Sequence, residues 1–508
     1  MKALQPLRDY LQQTRLLASI SSTLYFDQNT VMPAASAPWR GEQLALLAAQ
    51  LHQRQTSDEY SDLLEAAESE ASESEASGPD RNLELLRLEL DRRRCLDPDL
   101  VGALTRAQSH GNAIWQEARR TDTFVTFAPA LKQLINLRLE QASQLRPAEP
   151  PGRSAWEILA QPFEPDISKG RLEQLFAPLK RELPPLLDQV MASKQPAAAA
   201  PELLPPLQDQ LCSELLSSWG YDPQRCHASS SAHPFSCTLG PNDFRITTRV
   251  VEGQPFSCFL AAAHEWGHSL YEQGLPRDRP QCFPWPLGDA TSMGVHESQS
   301  LFWECRVARS QAFAALWYPR FCQTLTQDPW GCSDEFWRAF NPMRPGYIRV
   351  EADELSYCLH IVLRYELELA LLEGGLPVEE LPQQWNQRFE QLLGLIPTSD
   401  REGCLQDIHW AEGMFGYFPS YALGHLISAQ LSEAMVAELG PLHERIAAGE
   451  EQLLRQWLGR YVWPLGRSVN AEQLVHQVSG AALSADPFLT YLKDKVERLQ
   501  APQPAAVS

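Results

Sequence analysis

The segment His264-Glu265-Trp266-Gly267-His268 carries the clearest chemical signal in this sequence of 508 residues. Two histidines four positions apart leave the same face of a helix, so their imidazoles can bind one metal ion. Zinc lowers the pKa of a coordinated water to about 7, and a neighbouring glutamate can accept the proton as that water attacks a carbonyl. The pattern therefore predicts a hydrolytic zinc site with Glu265 as general base. Chance alone produces this motif in roughly one such chain in fifty, so its surroundings matter.

A third metal ligand is predicted at Glu297, downstream of His268. An apolar run leads into the first helix, and Asp289 is suited to cap a second helix through 293–304. That helix would return Glu297 to the histidines and leave one coordination position open for water. We predict one Zn²⁺ per chain, bound by His264, His268 and Glu297, with Co²⁺ able to substitute.

Two other interpretations of the motif exist. The histidines could be ordinary satisfied side chains on an amphipathic helix. A di-iron carboxylate bundle would instead need Glu-x-x-His on each of two helices, and only Glu265-x-x-His268 fits that pattern. The zinc interpretation is favoured over both.

The elements that must hold these residues are predicted to be overwhelmingly helical, from apolar positions at three-to-four spacing. The predicted helices are 3–21, 37–55, 80–93, 98–121, 127–146, 170–193, 255–273, 289–318, 353–373, 378–395, 420–439 and 486–499. Sheet is expected only at Phe235–Leu239 and Phe244–Val251, which flank a Gly-Pro-Asn-Asp turn and form a hairpin. Glu65–Asp80 is acidic and of low complexity, and is predicted to be a solvated loop or frayed helix end.

Composition excludes several classes of protein. The formal net charge of −21 argues against nucleic acid or anionic membrane as a partner, since both attract clustered basic residues. Arg8 and Asp9 interrupt the first apolar stretch, unlike a secretory signal, and no apolar run approaches the roughly 20 residues of a membrane span. The eleven cysteines are scattered singly, without CxxC pairs, which is typical of reduced thiols in a cytoplasmic protein. We therefore expect a soluble cytoplasmic protein.

Six blocks of sequence, in order, make the chain resemble the carboxypeptidase Taq family, the thermostable metallocarboxypeptidases of the gluzincin clan. The blocks are His233-Pro234-Phe235, Asp243-x-Arg245-x-Thr247, His264-Glu265-x-x-His268, His296-Glu297-Ser298-Gln299-Ser300, Tyr347-Ile348-Arg349-x-x-Ala352-Asp353-Glu354 and Gly403-x-x-Gln406-Asp407-x-His409-Trp410. The resemblance also includes 24–33, so it covers nearly the whole chain. Phe26 stands where the family usually has Trp, and the acidic insert near 65–77 is peculiar to this chain. Neither departure touches the chemistry.

The resemblance implies a mainly α fold, with a large helical domain divided by a deep active-site groove, as in neurolysin and angiotensin-converting enzyme. The small hairpin would lie beside the metal helix. Residues 1–500 would form a single catalytic domain, with 1–150 as a helical lobe flanking the groove, 230–425 as the active-site core and 501–508 as a disordered tail. The resemblance also implies release of single C-terminal residues from peptides, and a homodimer.

Recognition of a free α-carboxylate requires a cation, and the forked donors of arginine suit it best. Arg349 is the favoured candidate, with Asp353 or Glu354 orienting it. A purely structural pairing of Arg349 with those acids is the alternative. Arg245, on the hairpin, could bind the carboxylate instead or additionally. The predicted substrate-binding set is Arg349, Arg245, His233, Gln406, Asp407 and Glu354. For His233, a capping or core role is the alternative.

Peptide hydrolysis also needs donors that stabilise the oxyanion besides the metal. His409 and either Tyr417 or Tyr421 are the candidates, because related gluzincins place a His and a Tyr from this region over the scissile carbonyl. Tyr417 is preferred, since it follows Gly416 in a predicted loop. Core packing is the alternative role for either tyrosine.

Two other functions share these motifs. An endopeptidase or dipeptidyl carboxypeptidase would have the same metal site without a closed end to the groove. An inert helical scaffold is a remote alternative, and the intact Glu265 argues against it.

Overall fold

The computed structural model describes residues 2–73, 80–193, 201–279 and 281–501. Within them the chain is mainly helical, as predicted. The helices of the first part are α1 Leu4–Thr30, α2 Ala37–Thr56, α3 Asp58–Ser72, α4 Arg81–Arg94, α5 Pro98–Thr121, α6 Phe124–Leu145, α7 Ala155–Ala160, α8 Lys169–Ala192 and α9 Pro205–Ser218. Those that follow are α10 Ser257–Gly274, α11 Met293–Leu301, α12 Gln311–Gln323, α13 Ser333–Phe340, α14 Tyr357–Leu372, α15 Leu381–Leu393, α16 Pro419–Leu439, α17 Leu442–Ala447, α18 Glu451–Tyr461, α19 Ala471–Ser479 and α20 Asp486–Gln500.

Local sequence sets several of the helix starts. Asp97 accepts a hydrogen bond from the backbone of the first turn of α5, and Pro98 follows at the first helical position. Ser154 and Glu157 form a reciprocal capping box at α7, which is too short to show a clear apolar period. Sequence periodicity missed α7 together with other helices, namely α3, α9, α13, α17, α18 and α19.

Two apolar clusters hold the helices together. The larger extends from Trp115 to Leu499 and surrounds the elements that carry the predicted metal ligands. The smaller joins α1, α3 and α4 through buried side chains between Leu7 and Leu90. None of the helices in the described ranges combines the length and apolar character needed to cross a bilayer.

The predicted hairpin is part of a three-stranded sheet. Its strands are β1 Cys226–Ser230, β2 Ser236–Gly240 and β3 Asp243–Thr248, in the order β1-β3-β2. The β2–β3 pair is antiparallel, as expected, whereas β1 runs parallel to β3 with Cys226 opposite Phe244. The sequence did not predict strand β1. The sheet packs against α10, and this confirms the expected position of the strands beside the metal helix.

The predicted helix 289–318 is three separate helical elements. Helix α11 ends at Leu301, a π-helical segment continues through Phe302–Ala308, and α12 begins at Gln311. The predicted cap at Asp289 is also wrong, because Ser292 accepts the hydrogen bond from the backbone of Val295. Asp289 instead pairs with arginines on other elements.

The acidic segment is more ordered than predicted where the structure describes it. Glu65–Ser72 is the second half of α3, with Ala67 fully buried and Glu68 paired with Arg87 at 2.5 Å. Buried apolar contacts on one helical face outweigh the high charge of the other. Residues 74–79 lie outside the described ranges, as does all of the predicted tail except residue 501.

Candidate metal centre

The motif His264–His268 occupies the middle of α10, with the intervening Trp266 fully buried. Gly267 faces α11 at a very close approach: a Cβ there would lie 2.7 Å from the Cα of Ser300 and 2.8 Å from the carbonyl oxygen of Gln299. Real Cβ atoms do not tolerate such distances, so only glycine lets the two helices meet at this point. The contact brings the next helix against the histidines.

Glu297 projects from α11 toward these histidines. The donor atoms of His264, His268 and Glu297 all lie within 4.8 Å of one another, and the structure's described ranges hold no other cluster of three such residues. Helix α16 also packs against Glu297, where a Cβ on Gly424 would lie 2.6 Å from its Cγ. A glycine on each neighbouring helix therefore positions the carboxylate.

Hydrogen bonds orient both imidazoles. His264 Nδ1 lies 3.0 Å from Oε2 of Glu304, and His268 Nδ1 lies 3.1 Å from the carbonyl oxygen of His296. A carbonyl can only accept, so Nδ1 of His268 carries the proton. Its Nε2, 3.6 Å from Glu297, is left free to coordinate. Such outer partners fix the ring and the tautomer of a metal-binding histidine.

The electrostatics of the cluster favour a cation. Burial, together with the field of Glu297, raises the pKa of Glu265 to about 7 against the lowering field of His264. Burial likewise raises the pKa of Glu297. Although burial alone would lower the pKa of His264, its bond to Glu304 and the fields of Glu297 and Glu265 raise it to about 10. A proton on His264 thus offsets part of the negative charge, and a divalent ion bound by this donor set would do so more completely.

Arg349 begins a short 3₁₀ turn, Arg349–Glu351, and its side chain is buried. Its Nε donates to Oδ1 of Asp407 at 2.9 Å and its Nη1 to the Tyr357 hydroxyl at 2.9 Å. The other carboxylate oxygen of Asp407 accepts from Arg364 at 2.6 Å.

The predicted partners of Arg349 are therefore wrong. Asp353 accepts hydrogen bonds from the backbone amides of Arg344, Leu355 and Ser356, because it caps the turn before α14. The side chain of Glu354 is only 7% exposed and binds Lys495 and Tyr491 of α20. Neither carboxylate is available to orient the arginine, and Asp407 has that role.

The remaining predicted substrate-binding residues differ in how many of their polar atoms already form hydrogen bonds within the protein. Gln406 accepts from the backbone N–H of Arg349 and donates to three carbonyl oxygens, so its polar atoms are satisfied within the fold. Arg245 makes a two-bond pair with Asp243, both at 2.8 Å, and its guanidinium lies 4.9 Å from the Phe26 ring centroid. His233 is exposed in the loop before β2.

His409 and the two tyrosines lie together at the start of α16. His409 Nε2 is 3.3 Å from the Tyr421 hydroxyl, and the Tyr417 and Tyr421 rings are 5.3 Å apart. Burial and the fields of Arg349 and Arg364 lower the pKa of His409 to about 3, against the raising field of Asp407. Its imidazole is neutral at pH 7. The guanidinium of Arg349 lies 4.9 Å from the Tyr421 ring centroid, which connects this group to the Arg349–Asp407 pair.

A model of the carboxypeptidase Taq (M32) metallopeptidase family matches residues 6–496. The chain belongs to this family. It is accordingly a metal-dependent carboxypeptidase. Thermostable carboxypeptidase 1 of Thermus thermophilus is 38% identical over 506 residues, which cover 98% of this chain and 99% of the relative.

Solved structures agree with this membership. The M32 carboxypeptidase from Deinococcus radiodurans R1 superposes with a TM-score of 0.92 at 32% identity, covering 98% of this chain and 100% of the other. Trypanosoma cruzi metallocarboxypeptidase 1 gives a TM-score of 0.91 at 31% identity, covering 99% and 100%. The whole M32 fold is therefore present in this chain.

Sequence reasoning missed three contributors to this M32 site. Glu304 binds His264, and the wide turn of the π-helical segment carries it; such segments are frequent at functional sites. Tyr357 binds Arg349 from the first turn of α14. Gly424 allows the close approach of α16. Glu304 lies only seven residues after Glu297 in the chain, so a search for carboxylates near this predicted ligand could have found it. Tyr357 and Gly424 carry no local sequence signal.

Proposed function

We propose that this carboxypeptidase releases single amino acids from peptides with a free C-terminus, using one zinc ion held by His264, His268 and Glu297. The observation that carries the proposal is the convergence of these three donors within 4.8 Å, with Glu265 buried beside them. Two imidazoles and one carboxylate form a donor set typical of catalytic zinc, which keeps a further position open. Cobalt accepts the same donors and should substitute.

When bound, zinc supplies a Lewis acid that polarises the scissile carbonyl and lowers the pKa of water. Glu265 is the general base, because its buried carboxylate lies next to His264 and is not one of the three donors that would hold the ion. It takes the proton from the attacking water and passes it to the leaving amine. The Tyr421 hydroxyl donates to the oxyanion, and neutral His409, 3.3 Å away, orients it. The contact with His409 favours Tyr421 over Tyr417, the residue preferred from the sequence. Tyr417 packs against Tyr421 and is the second candidate donor.

Arg349 binds the substrate carboxylate. Two of its nitrogens are used by Asp407 and Tyr357, and among the described residues its Nη2 forms no hydrogen bond. The buried ion pair fixes the guanidinium, so a carboxylate meets a pre-oriented donor. Asp407 acts through Arg349 and is a positioning residue. Arg245 already has both of its forked donors on Asp243, which makes it the weaker candidate.

The test compares one peptide with a free and an amidated C-terminus on the wild type and on Arg349→Ala, Arg349→Lys and Arg245→Ala. A buried charge-assisted interaction is worth about 2–4 kcal/mol, so Arg349→Ala should lower kcat/KM for the free peptide by roughly 30- to 1000-fold. Lysine should recover part of this, since a point charge lacks the forked geometry. Arg245→Ala is the matched control and should stay within about threefold of the wild type.

The outcomes separate the alternatives. Equal cleavage of free and amidated peptides by the wild type would contradict the free C-terminus requirement and favour an endopeptidase. Release of dipeptides would identify a dipeptidyl carboxypeptidase. If only the free peptide is cleaved and Arg245→Ala is the damaging change, the roles of the two arginines are reversed.

Assembly and location follow from separate observations. A homodimer is supported by large apolar side chains exposed on α1 and α2, since such groups mark interfaces. They are Leu16, Ile20, Trp39 and Leu46. A cytoplasmic location is supported by the eleven cysteines, all of which are free thiols.

A further inference from the structure

A cavity of about 260 Å³ lies away from the predicted metal ligands, between α1, α2, α4 and the segment that precedes α11. Three arginines line it, each from a different helix: Arg15, Arg54 and Arg93. Two carboxylates, Glu89 and Asp289, complete its charged lining. A water molecule takes about 30 Å³ of liquid volume, so the cavity can hold more than a few waters.

The carboxylates of the cavity are each shared by more than one arginine. Asp289 binds Arg15 at 2.6 Å and Arg277 at 3.2 Å. Glu89 binds Arg467 at 2.6 Å and Arg93 at 3.3 Å. Because the acids are shared, their charge cannot neutralise all of the surrounding guanidinium groups.

The charge around the cavity is therefore positive. Arg277 has one further partner, Glu272. Within the lining itself, three arginines face two carboxylates, and both carboxylates are also paired with arginines outside the lining, which leaves one positive charge in excess. This is a notable local concentration in a chain whose net charge is −21.

Arg54 is the cavity arginine whose positive charge is least compensated. Its Nε donates to the Thr14 hydroxyl and its Nη2 to the Tyr10 carbonyl oxygen, both at 3.1 Å. Its guanidinium lies 4.0 Å from the centroid of the Tyr10 ring. Within residues 2–73, 80–193, 201–279 and 281–501 it has no carboxylate partner and its Nη1 makes no hydrogen bond. A half-buried guanidinium with a free edge in a cavity is suited to bind an oxyanion.

We propose that this cavity is an anion-binding site, with Arg54 and Arg15 as its principal donors and a small oxyanion as its ligand. The shared chemistry is a charged group with two or more acceptor oxygens, carboxylate, phosphate or sulfate. It can reach the protein as a free ion or as the acidic side chain of a peptide. Arg349 does not line this cavity, and detection of a bound anion does not require turnover.

The probe is inorganic sulfate, titrated into the zinc-loaded enzyme by calorimetry at constant ionic strength. The variants are Arg54→Gln, Arg15→Gln and the control Arg119→Gln. Arg119 is a matched control because its guanidinium also lies over an aromatic ring, 5.5 Å from the centroid of Trp115, but outside the cavity. Circular dichroism and thermal melting verify that each variant is folded.

Sulfate should bind the wild type and Arg119→Gln saturably, and Arg54→Gln at least tenfold more weakly, with Arg15→Gln also weakened. Hydrolysis of matched acidic and neutral peptides then identifies the source. A rise in KM confined to acidic peptides in Arg54→Gln points to a substrate side chain, and unchanged KM values point to a free anion. Absence of saturable binding by the wild type, or binding by Arg54→Gln and Arg15→Gln equal to that of the wild type, would overturn the proposal.

Discussion

At the scale of single residues, Glu265 differs from its neighbours because it is a buried carboxylate outside the proposed metal-binding set. His264, His268 and Glu297 supply the ligand atoms, whereas Glu265 lies beside them with a pKa raised by burial to about 7. Metal binding and proton transfer therefore belong to different residues, and a single substitution can test this separation.

Glu265→Gln should keep the metal and lose catalysis. The amide preserves the shape of the side chain but cannot accept the proton, and general-base contributions run to about 10²–10⁴-fold in kcat. Metal content by atomic emission and kcat with a free-C-terminus peptide provide the measurement. Loss of metal together with unfolding would show that Glu265 is a structural residue.

These residues can be predicted from sequence only where neighbouring residues in the chain determine their role. The spacing of His264 and His268 is a property of one helix, so the sequence alone indicates a shared ion. The partner of Arg349 is 58 residues away, and Asp353 is the wrong choice because nearness in sequence does not measure nearness in space. Only the tertiary fold brings Asp407 to the guanidinium.

At the scale of elements, the site depends on three helices that approach one another unusually closely. Helix α11 contacts α10 at Gly267 and α16 at Gly424. A methyl group added at either glycine would overlap with a residue of α11. The positions of the histidines and of Glu297 therefore depend on two glycines that take no part in the reaction.

Gly424→Ala should weaken metal binding and lower stability. The new Cβ would lie 2.6 Å from Glu297 Cγ and 2.9 Å from its Cβ, so either the helix or the ligand must move. Overpacking of this kind costs about 1–3 kcal/mol. Chelator competition gives the metal affinity, and thermal unfolding gives the stability.

Gly41→Ala is the control for this substitution. Gly41 lies within α2, and a Cβ added there would have no neighbour within 4 Å, so alanine should be neutral or stabilise by about 0.4–1 kcal/mol. If both variants bind metal as the wild type does, close packing of α16 does not position Glu297.

A helix or strand can be predicted where the apolar pattern on one face of a single segment is enough to identify it. Helix α10 is predicted over 255–273 and is Ser257–Gly274. Strand β1 escapes prediction because its parallel partner β3 lies beyond β2 in the chain, so no hairpin signal marks it. The predicted helix 289–318 breaks because apolar periodicity does not distinguish a π-helical turn from an α-helical one.

At the scale of the whole molecule, buried carboxylates link stability to pH. Glu368 accepts hydrogen bonds from Trp156, Trp410 and the backbone of Gly416, which joins α7, α14 and the loop before α16. Burial nevertheless raises its pKa to about 7, against the lowering effect of these three bonds. The folded chain therefore retains a proton on Glu368 at a pH where the unfolded chain has lost it.

This linkage predicts stability that falls as pH rises from about 5 to 7.5, because the folded state binds more protons throughout that window. Glu368→Gln removes the titration. The stability of the wild type relative to this variant should then fall by on the order of 1–3 kcal/mol across the window. Urea unfolding at several pH values measures it, with exposed Glu497→Gln as control. Parallel pH profiles for the wild type and Glu368→Gln would contradict the linkage.

The central claim is that one metal ion at His264, His268 and Glu297 is required for removal of single residues from a free C-terminus. Mass spectrometry of one peptide over time, with and without a chelator, tests it most directly. We expect a ladder of products, each one residue shorter at the C-terminus, that disappears with the chelator and returns with added Zn²⁺ or Co²⁺. Full activity in a metal-free preparation, or products cut at internal bonds, would contradict it.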